Sequence, residues 1–151
     1  MNGTARRGTV RNKVAMISTL DIFRIGIGPS SSHTLGPVYI LGHFLSALSD
    51  AGRLEEVARL HVELQGSLAL TGLGHGTPDA VLIGALGLDP ETLDIDAAQR
   101  RVASVRSEHV LPLLGRHPIP FDPARDMHLA CEILPEPHPN GIRVRAWDGS
   151  G

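Results

Sequence analysis

A chain of 151 residues, 42% of them apolar, has room for one compact domain with a modest core and excludes a full two-domain enzyme within it. Aromatic residues make up only 3%, so the core rests on Leu, Ile, Val and Ala, and stacking platforms for single-stranded nucleic acid are scarce. The net charge of −2 hides an asymmetry: Arg6, Arg7, Arg11 and Lys13 crowd the first thirteen residues, leaving ten basic against sixteen acidic side chains in a body unsuited to nucleic acid.

Residues 1–13 read as a flexible basic arm, and residues 14–151 as the folded domain. Val14 to Phe23 mixes β-branched and apolar residues and is a strand or short helix, ended by Gly26, Gly28 and Pro29. From Ser32 to Asp50 the apolar positions Leu35, Val38, Leu41, Phe44, Leu45 and Leu48 recur at three- and four-residue steps, which predicts a mostly buried helix, with Gly52 as its stop. Leu60, Val62 and Leu64 alternate with His61, Glu63 and Gln65, the period of a half-buried strand running toward Leu70. Gly72, Gly74 and Gly76 then form a loop before a helix over Ala80 to Leu86, with Thr77 as its N-cap and Pro78 in its first turn. A surface helix is expected from Asp96 to Leu114. Two strands, Met127 to Leu134 and Gly141 to Trp147, are expected as an antiparallel hairpin across a proline-rich loop ending in Asn140-Gly141. The order β-α-β-α-α-β-β predicts an α+β fold with helices packed on a mixed sheet.

Two segments share one design, a glycine-rich loop with hydroxyls and a histidine just before a helix: Gly26 to Thr34, containing Ser30, Ser31, Ser32 and His33, and Gly72 to Thr77, containing Gly74, His75 and Gly76. Unpaired N–H groups and the dipole at a helix N-terminus favour a carboxylate or phosphate there. Neither loop matches a dinucleotide or Walker fingerprint, so helix capping by Ser31 or Ser32 and plain chain reversal at the glycines are the competing readings. His33 and His75 are the candidates for proton transfer, because imidazole ordinarily titrates near neutral pH. His43, His61, His109, His117 and His128 fall among charged neighbours as solvated or capped side chains, and His138 lies in the proline-rich loop beside Asn140. Cys131, at an apolar strand position, reads as a small core residue. As the one cysteine it excludes an internal disulfide and a self-contained iron–sulfur cluster, and no metal site is expected in the chain itself. Lys13, the one lysine, lies in the polar arm, which leaves pyridoxal phosphate without an anchor. No apolar run approaches the ~18 residues of a membrane span, and the start lacks a secretory h-region, so a cytoplasmic location is the default.

The string from Asp21 to Pro37, with Gly28-Pro29-Ser30-Ser31-Ser32-His33-Thr34 at its centre, closely resembles the start of the iron–sulfur-dependent L-serine dehydratases (L-serine ammonia-lyases) of bacteria. The likeness continues through Gly66 to Gly72, Gly74-His75-Gly76-Thr77, Ala80 to Gly84, Thr92 to Asp96 and His138-Pro139-Asn140-Gly141, covering about residues 16–147. It implies the β domain of that enzyme, with a fold similar to the allosteric substrate-binding domain of some D-3-phosphoglycerate dehydrogenases. It also implies a partner α domain or subunit that holds a [4Fe–4S] cluster through its own cysteines. The activity implied is conversion of L-serine to pyruvate and ammonia, a lyase step of amino-acid catabolism feeding gluconeogenesis, in an enzyme that is a homo-oligomer when complete. An iron with an open position would act as Lewis acid while a base takes the α-proton. On this resemblance Ser30, Ser31, Ser32, Thr34, Gly74, Gly76 and Thr77 bind substrate, and His138 and Asn140 border the cleft. His33 and His75 serve as base and positioning group, their order left open. Two departures stand out: Leu73 replaces the Lys that many relatives carry between the glycines, and the chain ends at Gly149-Ser150-Gly151, where the family continues, so it reads as C-terminally truncated and inactive alone. A regulatory module that binds serine or another small anion without catalysis is the alternative, and a purely structural dimerisation domain is a third reading.

Overall fold

The computed structural model describes residues 32–150. The basic arm, the element expected over residues 14–23, and Ser30 and Ser31 lie outside that range. Helix α1 (Leu35–Asp50) buries Leu35, Val38, Leu41 and Leu45 along one face, as the three- and four-residue spacing requires. Gly52, at φ 68°, ends it. Its N–H donates to the Ser49 carbonyl (2.9 Å) and the Arg53 N–H to the Leu48 carbonyl (2.8 Å), so two carbonyls of the last turn are satisfied.

Strand β1 (Val57–Gly66) sends Leu60, Val62 and Leu64 into the core and His61 and Glu63 to the other face. It is the middle of a three-stranded mixed sheet ordered β4 (Met127–Ala130), β1, β5 (Asn140–Asp148). β4 runs parallel to β1, with Val62 opposite Met127, and β5 runs antiparallel, with Val62 opposite Val144. Three helices lie over the core face: α1, α3 (Thr77–Ala85) and α4 (Ile95–Glu108), which contribute Leu41, Leu45, Val81, Leu82, Val102 and Val105. Burial of each such side chain is worth about 1.5–3 kcal/mol relative to exposure. Close approach of α1 and α3 depends on Gly84, where a Cβ would stand 2.3 Å from the Val38 carbonyl oxygen. The whole is the α+β arrangement expected, helices on a mixed sheet.

Several local expectations are corrected. The helix expected to Leu114 stops at Glu108, because Pro112 has no N–H to give a helix and clashes with its preceding turn. Residues 110–120 instead form a separate ribbon, β2 (Val110–Leu113) and β3 (His117–Pro120), turning at Leu114 and Gly115 with φ of 50° and 73°. A one-turn helix, α5 (Pro123–Asp126), leads into β4. The last two strands are not a hairpin: they flank β1 on opposite sides, and Asn140-Gly141 opens β5 rather than closing a turn. Cys131 follows the short β4 and is exposed, not a core residue.

The strand expected to reach Leu70 breaks at Gly66. Its φ of 59° and ψ of −131° suit glycine, and a Cβ there would lie 2.0 Å from the Pro139 carbonyl oxygen. The elbow throws the chain directly into helix α2 (Ser67–Thr71) and a 3₁₀ turn over Gly72–His75. It is clamped from the far end of the sequence: the Gly66 N–H donates to the Ile133 carbonyl (2.8 Å) and the Ser67 N–H to the Pro139 carbonyl (2.9 Å).

Candidate functional site

One helical turn separates Ser67 from Thr71, so their hydroxyls share a face of α2 just past the elbow. His33 lies across that face, its Nε2 3.1 Å from Ser67 Oγ and 3.0 Å from Thr71 Oγ1, and its Nδ1 3.0 Å from Ser32 Oγ. His75, at the end of the 3₁₀ turn, donates its Nδ1–H to the Thr71 carbonyl at 2.9 Å. The two imidazoles stand with ring centroids 4.8 Å apart and planes tilted by 35°. Two loops separated by 42 positions in sequence therefore meet ring to ring.

Thr77 ties the loops together. It is fully buried, and its hydroxyl donates to the His33 carbonyl at 2.9 Å. It does not cap α3: Gly76, at φ 71°, holds that place, and Thr77 is the first helical residue, followed by Pro78. Thr34 occupies the cap position of α1, while the Ser32 hydroxyl bonds the His33 ring. A cavity of about 180 Å³ opens between the starts of α1 and α3, walled mostly by apolar atoms of residues that include Thr34, Leu35, Val38, His75, Asp79 and Ile83.

Asn140 pairs with Gly66 across the sheet, which sets it beside the elbow. Its side-chain oxygen is buried and has no hydrogen-bond partner among the described residues, a condition that costs about 1–3 kcal/mol. Its N–H donates to His138 Nδ1 at 3.3 Å, and the His138 side chain is otherwise exposed. Gly74 is exposed at the tip of the 3₁₀ turn, where a Cβ would meet nothing within 4 Å. The structure thus gathers Ser32, His33, Thr34, His75, Gly76 and Thr77 at one place with Asn140 at its edge.

Ser67 and Thr71 were not singled out from the sequence. Their signal was a pair of hydroxyls four residues apart directly after a glycine that ends a strand, visible only once a helix, and not a continued strand, is known to start at Ser67. On the outer sheet face, burial pushes the His61 imidazole below its ordinary value, and Arg145 and Arg59 push the same way against Glu63. Among the described residues no three His, Cys, Asp or Glu side chains converge as metal ligands, and no helix is long and apolar enough to cross a membrane.

The family model described as serine dehydratase beta chain matches residues 18–151. The chain belongs to that family. Among its relatives, an L-serine dehydratase of Streptomyces coelicolor is 45% identical over 135 residues, which cover 89% of this chain and 30% of that protein. The L-serine dehydratase of Mycobacterium tuberculosis is 43% identical over 130 residues, 86% of this chain and 28% of that protein, and L-serine dehydratase 1 of Escherichia coli is 41% identical over 135 residues, 89% of this chain and 30% of that protein. The chain therefore spans under a third of the length of those relatives. Its match takes in both histidine-bearing loops.

Proposed function

We propose that this chain is the β portion of an L-serine ammonia-lyase and supplies one wall of the cleft in which L-serine becomes pyruvate and ammonia. The observation that carries this reading is the meeting of His33 and His75 at 4.8 Å among the hydroxyls of Ser32, Ser67 and Thr71. The starts of α1 and α3 line a cavity that His75 also borders, and the dipole at a helix start favours a carboxylate. Ser30, Ser31, Ser32, Thr34, Gly74, Gly76 and Thr77 are the proposed substrate contacts, with Asn140 and His138 at the rim.

The reaction moves two protons. The α-proton of serine passes to a neutral imidazole nitrogen as the Cα–Cβ double bond forms. The Cβ–O bond breaks, and the departing hydroxide leaves as water once protonated. The aminoacrylate that remains tautomerises to an imine, which water hydrolyses to pyruvate and ammonia. A pair of adjacent imidazoles suits this, one accepting a proton while the other holds or donates one.

The [4Fe–4S] cluster implied by the family resemblance does not fit the donor set here. The lone thiol is Cys131, and a four-iron cluster takes several thiolates. The cluster would belong to an α domain or subunit, and no step is assigned to it in this chain.

In the complete enzyme, assembled with a cluster-loaded α part, His33→Ala and His75→Ala are each expected to lower kcat by about 10²–10⁴-fold, the range for a placed acid–base group. The isolated chain is expected to show no turnover. Normal turnover in both variants would end this assignment. Tight calorimetric binding of serine to the isolated chain, with no rate effect of either variant, would favour a regulatory module instead.

A further inference from the structure

We infer that Thr71 is a positioning residue that holds the two imidazoles in opposite tautomers, His33 as Nε2–H and His75 as Nδ1–H; the inference rests on the proton-transfer role proposed for both histidines.

Each group has a fixed number of protons to give. The Thr71 carbonyl can only accept, so the 2.9 Å contact from His75 Nδ1 requires Nδ1 to carry the hydrogen. In neutral His75 the lone pair is then on Nε2. The Thr71 hydroxyl has one hydrogen, which it donates to the Ser67 carbonyl at 2.9 Å in the ordinary bond of a helical Thr to the residue four before it. With that hydrogen committed, Thr71 Oγ1 meets His33 Nε2, 3.0 Å away, only as an acceptor, and Nε2 must carry a hydrogen. Ser67 Oγ, 3.1 Å from the same nitrogen, shares it. His33 Nδ1 is left as the accepting nitrogen, 3.0 Å from the hydroxyl of Ser32, which can donate to it.

A single residue thereby addresses both rings through different atoms, its side chain for His33 and its backbone for His75. The lone pairs end on different nitrogens, Nδ1 of His33, beside the Ser32 hydroxyl, and Nε2 of His75. Proton transfer in defined directions needs such fixed tautomers, because the wrong one presents a hydrogen where a lone pair is required.

The backbone and side-chain routes can be separated by Thr71→Val, which keeps shape and carbonyl but removes the hydroxyl. Long-range 15N–1H correlation spectra of the 151-residue chain distinguish protonated from unprotonated ring nitrogens. The wild type is expected to show His33 protonated at Nε2 and His75 at Nδ1. In Thr71→Val the His33 signals should move toward a mixture while those of His75 stay, and Thr71→Ser should restore the His33 pattern. Ser67→Ala should give a smaller shift of the same kind. In the complete enzyme Thr71→Val should lower kcat by about tenfold, part of the range available to acid–base placement, with KM unchanged. His33 signals that do not respond to Thr71→Val, or a wild-type His33 protonated at Nδ1, would overturn the inference even if His33→Ala abolished turnover. A tautomer shift as expected, alongside a His33→Ala enzyme of normal kcat, would leave the positioning intact and remove the catalytic reading on which it was built.

Discussion

The two ends of β1 are built on opposite terms. Toward Val57, polar groups satisfy one another within the chain: His117 Nε2–H donates to the Val57 carbonyl at 2.7 Å, and Arg53 lies 3.8 Å from Asp148. The Ser150 side chain and amide hold the Asp148 carboxyl below its ordinary range. Asp126, 1% exposed, accepts the Asp122 N–H at 2.8 Å and pairs with Arg125 at 2.7 Å. Past Gly66 the pattern reverses. Hydroxyls and imidazoles hold each other near the surface, Asn140 keeps a buried oxygen unpaired among the described residues, and Leu70, Leu73 and Leu134 stand 62%, 71% and 74% exposed. Substitutions at the closed end should register as lost stability, and exposed positions at the open end should tolerate change.

The largest effect on stability is expected at Phe121, 1% exposed and packed with Leu111, Leu113 and Ile119. Phe121→Ala should cost about 3–5 kcal/mol in urea unfolding. A smaller loss, about 1–3 kcal/mol, is expected for Gly84→Ala, since its Cβ would press on the Val38 backbone and α1 would have to move. If that variant unfolds like the parent, the close helix contact is softer than its geometry implies.

Asp126 supplies a pH test. Burial works to raise its carboxyl pKa, but the Arg125 hydrogen bond, the Asp122 N–H and the Arg125 charge outweigh it, and the net shift is downward from 3.8. A folded-state pKa below the unfolded one stabilises at pH above the unfolded value, and the gain disappears as pH falls through the folded value. Asp126→Asn should therefore cost about 1–2 kcal/mol at pH 7, with Arg125 exposed to solvent screening, and the gap to wild type should narrow in acid. A gap that widens on acidification would contradict the assigned shift.

The smallest effect belongs to the open end. Leu73→Ser should change unfolding free energy by less than about 0.5 kcal/mol, because the side chain is already in water. A loss comparable to that of Phe121→Ala would show that this rim is part of the body after all.

Sequence periodicity was a good guide wherever one residue pattern answered to one surface. Leu35 through Leu48 announce α1, and Leu60, Val62 and Leu64 announce β1, because each set has one buried face. It misled where backbone geometry decided. Val110 to Leu114 continue a helical spacing that Pro112 cannot sustain, and the Leu114-Gly115 turn lacks the Asn-Gly that usually marks a hairpin. Asn140-Gly141 carries that mark but lies at a strand start, because each edge of β1 takes one of the two strands. For the site, His33 and His75 stood out by their loops, whereas Ser67 and Thr71 are ordinary helix residues until the elbow at Gly66 turns them under the rings.

That elbow also sets a schedule. Its two amide hydrogens are claimed by the carbonyls of Ile133 and Pro139, so the ledge beneath the histidines is pinned by polypeptide made well after it. On a ribosome, His33 and His75 would emerge long before the segment that secures their support. The nascent chain would carry its two histidine-bearing loops without that support until residues 133–139 had been translated.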